Sequence, residues 1–217
     1  MTDVVIDVAG EILHLLPERA VYWKKTATLL IADTHLGKTD TFRAHGIRIP
    51  HCDTYDDLQR LHDALQRTGA KRLVILGDLL HAKKGRDASM FATFAEWRNA
   101  HDDIEMILVR GNHDIRAGDV PNNWHIVNVS PSLIEAPFVM THQPQSSDEG
   151  FVVCGHVHPA AQVIGQGRQR LKLPCFWLSK TRLILPAFGS FIDHAFIQPA
   201  RDDQLWVTTD SSVMKWR

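Results

Sequence analysis

What the chain has little of narrows it first. Cysteine is rare. Cys52, Cys154 and Cys175 are the three in 217 residues; they are widely spaced and form no C-x-x-C pair. Neither a disulfide framework nor a thiolate zinc site is expected. No apolar run approaches the about 20 residues that a membrane-spanning helix needs. The start, Met1 to Gly10, has no basic segment leading into an apolar one, so no signal peptide is expected and the expected setting is cytoplasmic. An excess of one charge is also missing. Lys plus Arg number 24 and Asp plus Glu 25, a formal net charge of −1. Such a chain does not bind polyanions in bulk, and any nucleic-acid contact has to come from a local basic patch. Repeats, low-complexity stretches and long linkers are absent. The rest, 44% hydrophobic and 23% charged, is the make-up of an ordinary soluble globular protein. Residues 1–217 are expected to form a single domain.

One residue type is abundant: there are 13 histidines. Their positions decide what they mean, and positions follow from the elements. Residues 4–8 and 12–16 are β-prone runs around Ala9-Gly10 and read as a hairpin. Residues 20–23 form a third run. Residues 28–32 are continuously apolar, as in a strand buried on both faces. A helix is expected after Thr54, where Thr54 to Asp57 resembles a capping box, Leu58, Leu61 and Leu65 make an apolar stripe, and Gly69 marks the stop. A second helix is expected over 88–101, with Phe91, Phe94 and Ala95 on one face. Each helix is followed by an apolar strand, 72–76 and 105–109. That alternation favours a parallel sheet. The second half shows no helix, only short β-like runs at 138–140, 151–154, 161–164, 171–178, 183–185 and 195–197. The expected class is α/β: two sheets packed face to face with helices outside.

Five of these runs end in polar residues suited to metal binding: Asp33-Thr34-His35, Gly77-Asp78 with His81 shortly after, Gly111-Asn112-His113-Asp114, Thr141-His142, and Gly155-His156-Val157-His158. Ligands gather outside the carboxyl ends of strands in open α/β sheets. Asp33 and His35, like His156 and His158, are two apart, and in extended backbone such residues point the same way. Glycines before Asp78, Asn112 and His156 permit tight turns. The residue types suit phosphate-ester hydrolysis, which needs a nucleophile at neutral pH and neutralised phosphoryl charge; two metals about 3.5–4 Å apart supply both. Two close cations need a bridging anion, for which Asp78 is the candidate. Imidazole, carboxylate and amide together suit Mn, Fe, Zn or Co better than calcium. Taken singly, most of these motifs read as ordinary turns. Their order and shared position at strand ends carry the assignment.

That order, Asp-x-His, Gly-Asp, Gly-Asn-His-Asp, His, Gly-His-x-His, resembles the calcineurin-like metallophosphoesterase superfamily. The resemblance implies a four-layer α/β/β/α sandwich of two mixed β-sheets flanked by helices. It implies two divalent metal ions, with Mn first and Fe, Zn, Co or Mg as alternatives. Asp33, His35, Asp78 and His158 would hold one ion, and Asp78, Asn112, His142 and His156 the other. His113 would contact the scissile phosphate and protonate the leaving oxygen, oriented by Asp114. A narrower likeness lies in Ala32-Asp33-Thr34-His35-Leu36-Gly37-Lys38, Arg43, Gly46, Pro50, residues 76–81 and Leu15-Leu16-Pro17-Glu18-Arg19-Ala20. It is similar to the ligase-associated DNA damage response endonuclease family, PdeM. Thr34 stands where Leu is expected. Gly-Asp-x-x-His is shared with SbcD-like repair nucleases and places His81 near the phosphate. This likeness implies a DNA-repair endonuclease, with DNA as substrate and a DNA ligase and helicase as pathway partners.

Lys38, Arg43 and Arg48, then Lys83, Lys84 and Arg86, and finally Arg116 follow these motifs into loops. Lys38, Arg43, Lys83 and Lys84 are the candidates for substrate phosphate contact. No run of aromatics interleaves with these charges, so base stacking is not expected. Trp97, Trp124, Trp177 and Trp206 read as packing residues, and His14, His45, His51, His62, His101, His125 and His194 as incidental. Alternatives to a nuclease are a phosphoesterase of nucleotides or other small esters and a non-catalytic scaffold on the same fold.

Overall fold

The computed structural model describes residues 1–44, 46, 53–83, 87–164 and 170–217. It opens with an antiparallel meander of β1 (Val4–Val8), β2 (Glu11–Leu16), β3 (Ala20–Trp23) and β4 (Thr28–Ile31). The expected hairpin turns at Ala9 and Gly10. After α1 (Lys38–Ala44) and α2 (Asp53–Thr68) come β5 (Arg72–Ile75), α3 (Ala88–Asn99), β6 (Glu105–Val109), α4 (Asn112–Ala117) and β7 (Ile126–Val129). β4, β5, β6 and β7 pair in parallel, as the alternation of strands and helices anticipates.

Leu58, Leu61 and Leu65 of α2 and Met90 and Phe94 of α3 are buried against Leu29, Ile31, Leu73, Ile75, Met106 and Leu108 of the sheet. Asp87 caps α3, accepting from Ser89 N at 2.7 Å. The expected capping box at Thr54 is not the start of α2, which begins at Asp53. The Asp57 carboxylate accepts instead from Ser190 N and Oγ and from Arg60. Two short helices were not legible in the sequence. α1 has no apolar stripe, and α4 begins inside Gly-Asn-His-Asp, which reads equally well as a turn.

The second half contains β8 (Ser132–Glu135), β9 (Phe138–Thr141), β10 (Phe151–Cys154), β11 (Pro159–Ile164), β12 (Arg170–Leu178), β13 (Arg182–Ile184), β14 (Ala195–Phe196), β15 (Gln204–Thr208) and β16 (Val213–Lys215). They form a second mixed sheet in the order β14-β11-β12-β13-β10-β9-β8, with β15 and β16 attached at β12. Its inner side chains, Phe138, Met140, Val153, Phe176, Leu183 and Leu185, pack on Leu30, Ala32, Val74, Leu76, Ile107 and Val109 of the first sheet. The expected sandwich of two mixed sheets is therefore present. All four α-helices precede residue 118, and among the described residues the apolar cluster on the outer face of the second sheet contains no helix residue. Its apolar residues, Val139, Val152, Cys154 and Ile184, pack with Val157 and Trp177 instead. The reason lies in the sequence: beyond α4 the apolar residues keep no 3.6-residue spacing. Cys154 and Cys175 are free buried thiols, pushed up to about 12 by burial; Cys52 lies outside the described residues.

Candidate metal centre

β4, β5 and β6 are parallel neighbours, so their carboxyl ends share one edge, and β9 and β10 end opposite them. The segments after β4 and β5 are joined by backbone hydrogen bonds: Asp33 N to Gly77 O at 3.1 Å, His35 N to Asp78 O at 2.8 Å, Leu36 N to Leu79 O at 2.8 Å and His81 N to Leu36 O at 3.0 Å. Thr34 adds its hydroxyl, donating to Leu79 O at 3.0 Å. That bond gives the hydroxyl a use where an apolar residue was expected.

Asp33, His35 and His158 form one cluster of donor atoms within 4.8 Å of one another, and Asp78, His142 and His156 form a second. Asn112 joins the second through Oδ1, 3.0 Å from His142 Nε2. Asp78 stands between them, its Oδ2 3.4 Å from His142 Nε2 and 3.7 Å from His35 Nε2. Its Oδ1 accepts from His113 N at 2.8 Å. The structure thus brings together Asp33, His35, Asp78, Asn112, His142, His156 and His158.

Three imidazoles are oriented by carbonyls. His142 Nδ1–H donates to Leu76 O at 3.0 Å, His158 Nδ1–H to Asp193 O at 3.1 Å, and His113 Nδ1–H to His81 O at 2.7 Å. Each bond fixes the tautomer and leaves Nε2 as a lone pair, the form a metal ligand takes. His142 Nε2 then faces two oxygens and His156 Nδ1, which is 3.0 Å away. Asp33 Oδ1 is buried and accepts no hydrogen bond, although His158 Nε2 lies 3.5 Å away. An unpartnered buried carboxylate oxygen among lone pairs is costly. A cation at each cluster would satisfy all of these donors, and their types suit a divalent transition metal.

The electrostatics agree at His35 and His156 and run the other way at His158. Burial, with His158, His113 and His81 adding like charge, drives His35 down to about 2, so it is neutral and available as a ligand. Burial lowers His156 as well. Burial raises Asp78 to about 6, and nearby Asp33 adds to the shift. At His158 burial opposes the charge but the Asp33 carboxylate outweighs it, and the pKa rises.

Several sequence expectations need correction. Asp33, His35, Asp78, His156 and His158 have φ of 55, 48, 53, 70 and 51°. They are left-handed, so the extended-strand argument for i, i+2 pairs does not describe how these side chains converge. Of the preceding glycines only Gly77 has a positive φ, +82°. Gly111 and Gly155 are needed for close approach: a Cβ would lie 2.2 Å from Asp78 Oδ1 at Gly111 and 2.5 Å from Asp33 Oδ2 at Gly155. Asp114 does not touch the His113 ring. Its carboxylate accepts from Leu80 N and Gly111 N, both at 2.9 Å, because it sits in the first turn of α4 and ties that turn to the β5 loop. Burial raises it to about 6.

His81 lies beside the cluster, its Nδ1 3.3 Å from His35 Nδ1 and its ring stacked on His113 at 5.0 Å. Burial lowers it to about 4. Lys38 is half-buried at the start of α1 and burial lowers its pKa, with Asp193 opposing. Arg43 is half-buried on α1; Asp87, held low chiefly by Ser89, also feels its charge. Lys83 and Arg116 are exposed. Arg48, Lys84 and Arg86, with His45, His51 and Pro50, lie outside the described residues. Trp124 and Trp206 are buried and Trp97 and Trp177 partly so, as packing residues.

Sequence reasoning missed the segment 186–194. Phe188 N donates to Ala32 O at 2.8 Å and Gly189 N to Asp33 O at 3.2 Å. Arg60 donates to Phe188 O and Ser190 Oγ, and Arg19 to Gly189 O. This segment acts mainly through backbone groups, which leave no motif. Its one sequence signal is Gly189, where a Cβ would lie 2.4 Å from Thr34 O.

No curated protein matches the chain. Among solved structures it is similar to the nuclease MPE of Pseudomonas putida, with 34% identity, a TM-score of 0.87 and coverage of 99% of this chain and 100% of that one. Yfce, a phosphoesterase from E. coli, is 16% identical with a TM-score of 0.40, over 82% of this chain and 86% of its own. Residues 27–147, which include the first three motifs and His142, match the calcineurin-like phosphoesterase family. The chain belongs to that family and is a hydrolase of phosphate ester bonds.

Proposed function

We propose that this protein is a two-metal phosphodiesterase that cuts DNA. The observation that carries the reading is the pair of donor clusters joined at Asp78, with the Asp33 Oδ1 atom buried and unpartnered beside one of them. Asp33, His35, Asp78 and His158 would hold one ion, and Asp78, Asn112, His142 and His156 the other, with manganese the first candidate. When bound, a divalent pair neutralises phosphoryl charge and makes water a competent nucleophile at neutral pH.

The remaining work belongs to the protein. The His81 carbonyl accepts from His113 Nδ1–H and aims that ring, and His113 forms a third cluster with His35 and His81 at the same edge. From there the imidazolium passes its Nε2 proton to the leaving oxygen and returns to the Nδ1–H tautomer held by the His81 carbonyl, help worth roughly 10²–10⁴-fold. His81 supports His113 through that carbonyl and by ring stacking. Lys38, Arg43, Lys83 and Lys84 contact the substrate's phosphates. The likeness to a nuclease over nearly the whole chain supports a nucleic-acid substrate. By the resemblance to the PdeM family, the setting is cytoplasmic DNA repair alongside a DNA ligase and a helicase. Among the described residues no helix is long and apolar enough to cross a membrane.

The test is a metal-supplemented activity panel covering plasmid DNA, single-stranded DNA, a chromogenic diester and common nucleotides. Cleavage of DNA that needs added metal and stops with chelator is expected. DNA binding should weaken steeply with salt if several phosphates are contacted. Turnover of nucleotides alongside inert DNA would instead make this a small-ester phosphoesterase.

A further inference from the structure

The surface beside the metal centre changes character. Phe191 is 42% exposed, and its ring meets Phe42 edge-on, centroids 5.9 Å apart at 81°. The two come from distant parts of the chain, Phe42 from α1 and Phe191 from segment 186–194. With Lys38, Ser190, Ile192 and Asp193 they line a cavity of about 220 Å³. Phe191 and Lys38 also line the adjoining cleft, whose wall includes the candidate ligand His35. Phe191 and Lys38 thus link the aromatic cavity to the cleft that the candidate ligand His35 lines.

This patch is held in place. Ser190 N and Oγ donate to Asp57, Arg60 grips Phe188 O, and Asp193 O accepts from His158 Nδ1–H. An exposed ring on a segment anchored at both sides is a pre-formed flat apolar surface. Lys38 supplies a cation at its edge. The cavity is smaller than the roughly 300–1,000 Å³ of a typical drug-sized ligand pocket and has the scale of a single ring system. An ester that carries both a phosphate and a planar heterocycle matches this pairing of charge and apolar face.

We propose that Phe42 and Phe191 form a nucleobase subsite next to the scissile phosphate, where a base outside the duplex stack lies against Phe191 while Lys38 contacts its phosphate. This rests on the nucleic-acid reading above. It also reverses the sequence expectation about stacking: the aromatics do not interleave with the basic residues along the chain, but the fold brings them together.

The test uses two fluorescently labelled oligomers of equal length and charge, a short oligothymidylate and its abasic counterpart. Both are bound to manganese-loaded protein carrying His113→Ala, so that the strands stay intact. Phe191→Ala should weaken oligothymidylate binding roughly tenfold, the effect of one lost base stack, and change abasic binding less than about twofold. Phe191→Tyr should restore binding, and Phe42→Ala should act in the same direction as Phe191→Ala. Phe191→Ala should leave the salt slope unchanged, whereas Lys38→Ala should lower it by about one. Equal binding of both oligomers before substitution, or equal loss of both in Phe191→Ala, would overturn the subsite and leave the nuclease reading standing. If neither oligomer binds while a chromogenic diester is still hydrolysed by the unsubstituted protein, the nucleic-acid reading itself fails.

Discussion

The rim of the site carried by β4, β5 and β6 is built differently from the rim carried by β9 and β10. The first is joined within itself. Its β4 and β5 segments are joined by backbone hydrogen bonds from Ile31 to His81, and Asp114 ties in α4 through Leu80 N and Gly111 N. The second reaches across to the first. His142 leans on Leu76 O, His156 N donates to Asp33 Oδ2 at 2.7 Å, and His158 depends on Asp193 O in a segment that itself hangs on Ala32 and Asp33. The first rim can form without the second; the second is positioned only where the first already stands. Damage to the first should therefore affect both ions, and loss of a single ligand of the second only the ion that ligand holds.

The most severe break falls on the residue both clusters share. Asp78→Asn should lose both ions, measured by metal analysis of the purified protein, and activity should fall by more than the roughly 10²–10⁴-fold a general acid supplies. His113→Ala should fall within that range and keep its metal content; full activity would sink the assigned mechanism. Gly111→Ala comes next, because its Cβ would lie 2.2 Å from Asp78 Oδ1 and 2.5 Å from Asp78 N. Crowding of that kind costs about 1–3 kcal/mol of stability, and titration should show both ions binding more weakly. Gly77→Ala sharpens the contrast. Its Cβ would lie 2.3 Å from His142 Nδ1 at a φ of +82°. Gly77 belongs to the first rim, so both ions should weaken, the one at His142 most, by roughly 10–100-fold; weakening of the His142 ion alone would contradict the division between rims. Smallest is Arg60→Ala, which releases Phe188 O and Ser190. A Tm drop matching about 1–3 kcal/mol and a few-fold weaker ion at the His158 cluster are expected.

The same division governs what could be read in advance. The ligands on the first rim follow strands whose apolar runs and parallel order are written locally, in residues 28–32, 72–76 and 105–109. Asp33, Asp78 and Asn112 could be placed because each follows such a strand directly. On the second rim His142, His156 and His158 were legible as residues, but not how they are held. β10 lies between β9 and β13, and β12 pairs with β15. Such non-sequential pairing has no local signature. β7, β8, β15 and β16 were not read among the turns. Segment 186–194 meets the metal centre through carbonyls and amides, groups every residue has, so no side-chain motif marks that role.

The left-handed backbone at Asp33, His35, Asp78, His156 and His158 has a consequence for experiment. These are five of the nine non-glycine residues with positive φ among those described. Asp, Asn and His enter that region several-fold more readily than other side chains. Each position is thus restricted twice, by the atom it must offer and by the backbone it must tolerate. An alanine scan across the site would measure two losses as one number. Asparagine at the same positions keeps the backbone tolerance and removes the carboxylate or imidazole. The loss from the natural residue to asparagine would read the exchange of its donor for an amide oxygen, and the further loss to alanine would read the cost of the conformation together with that amide.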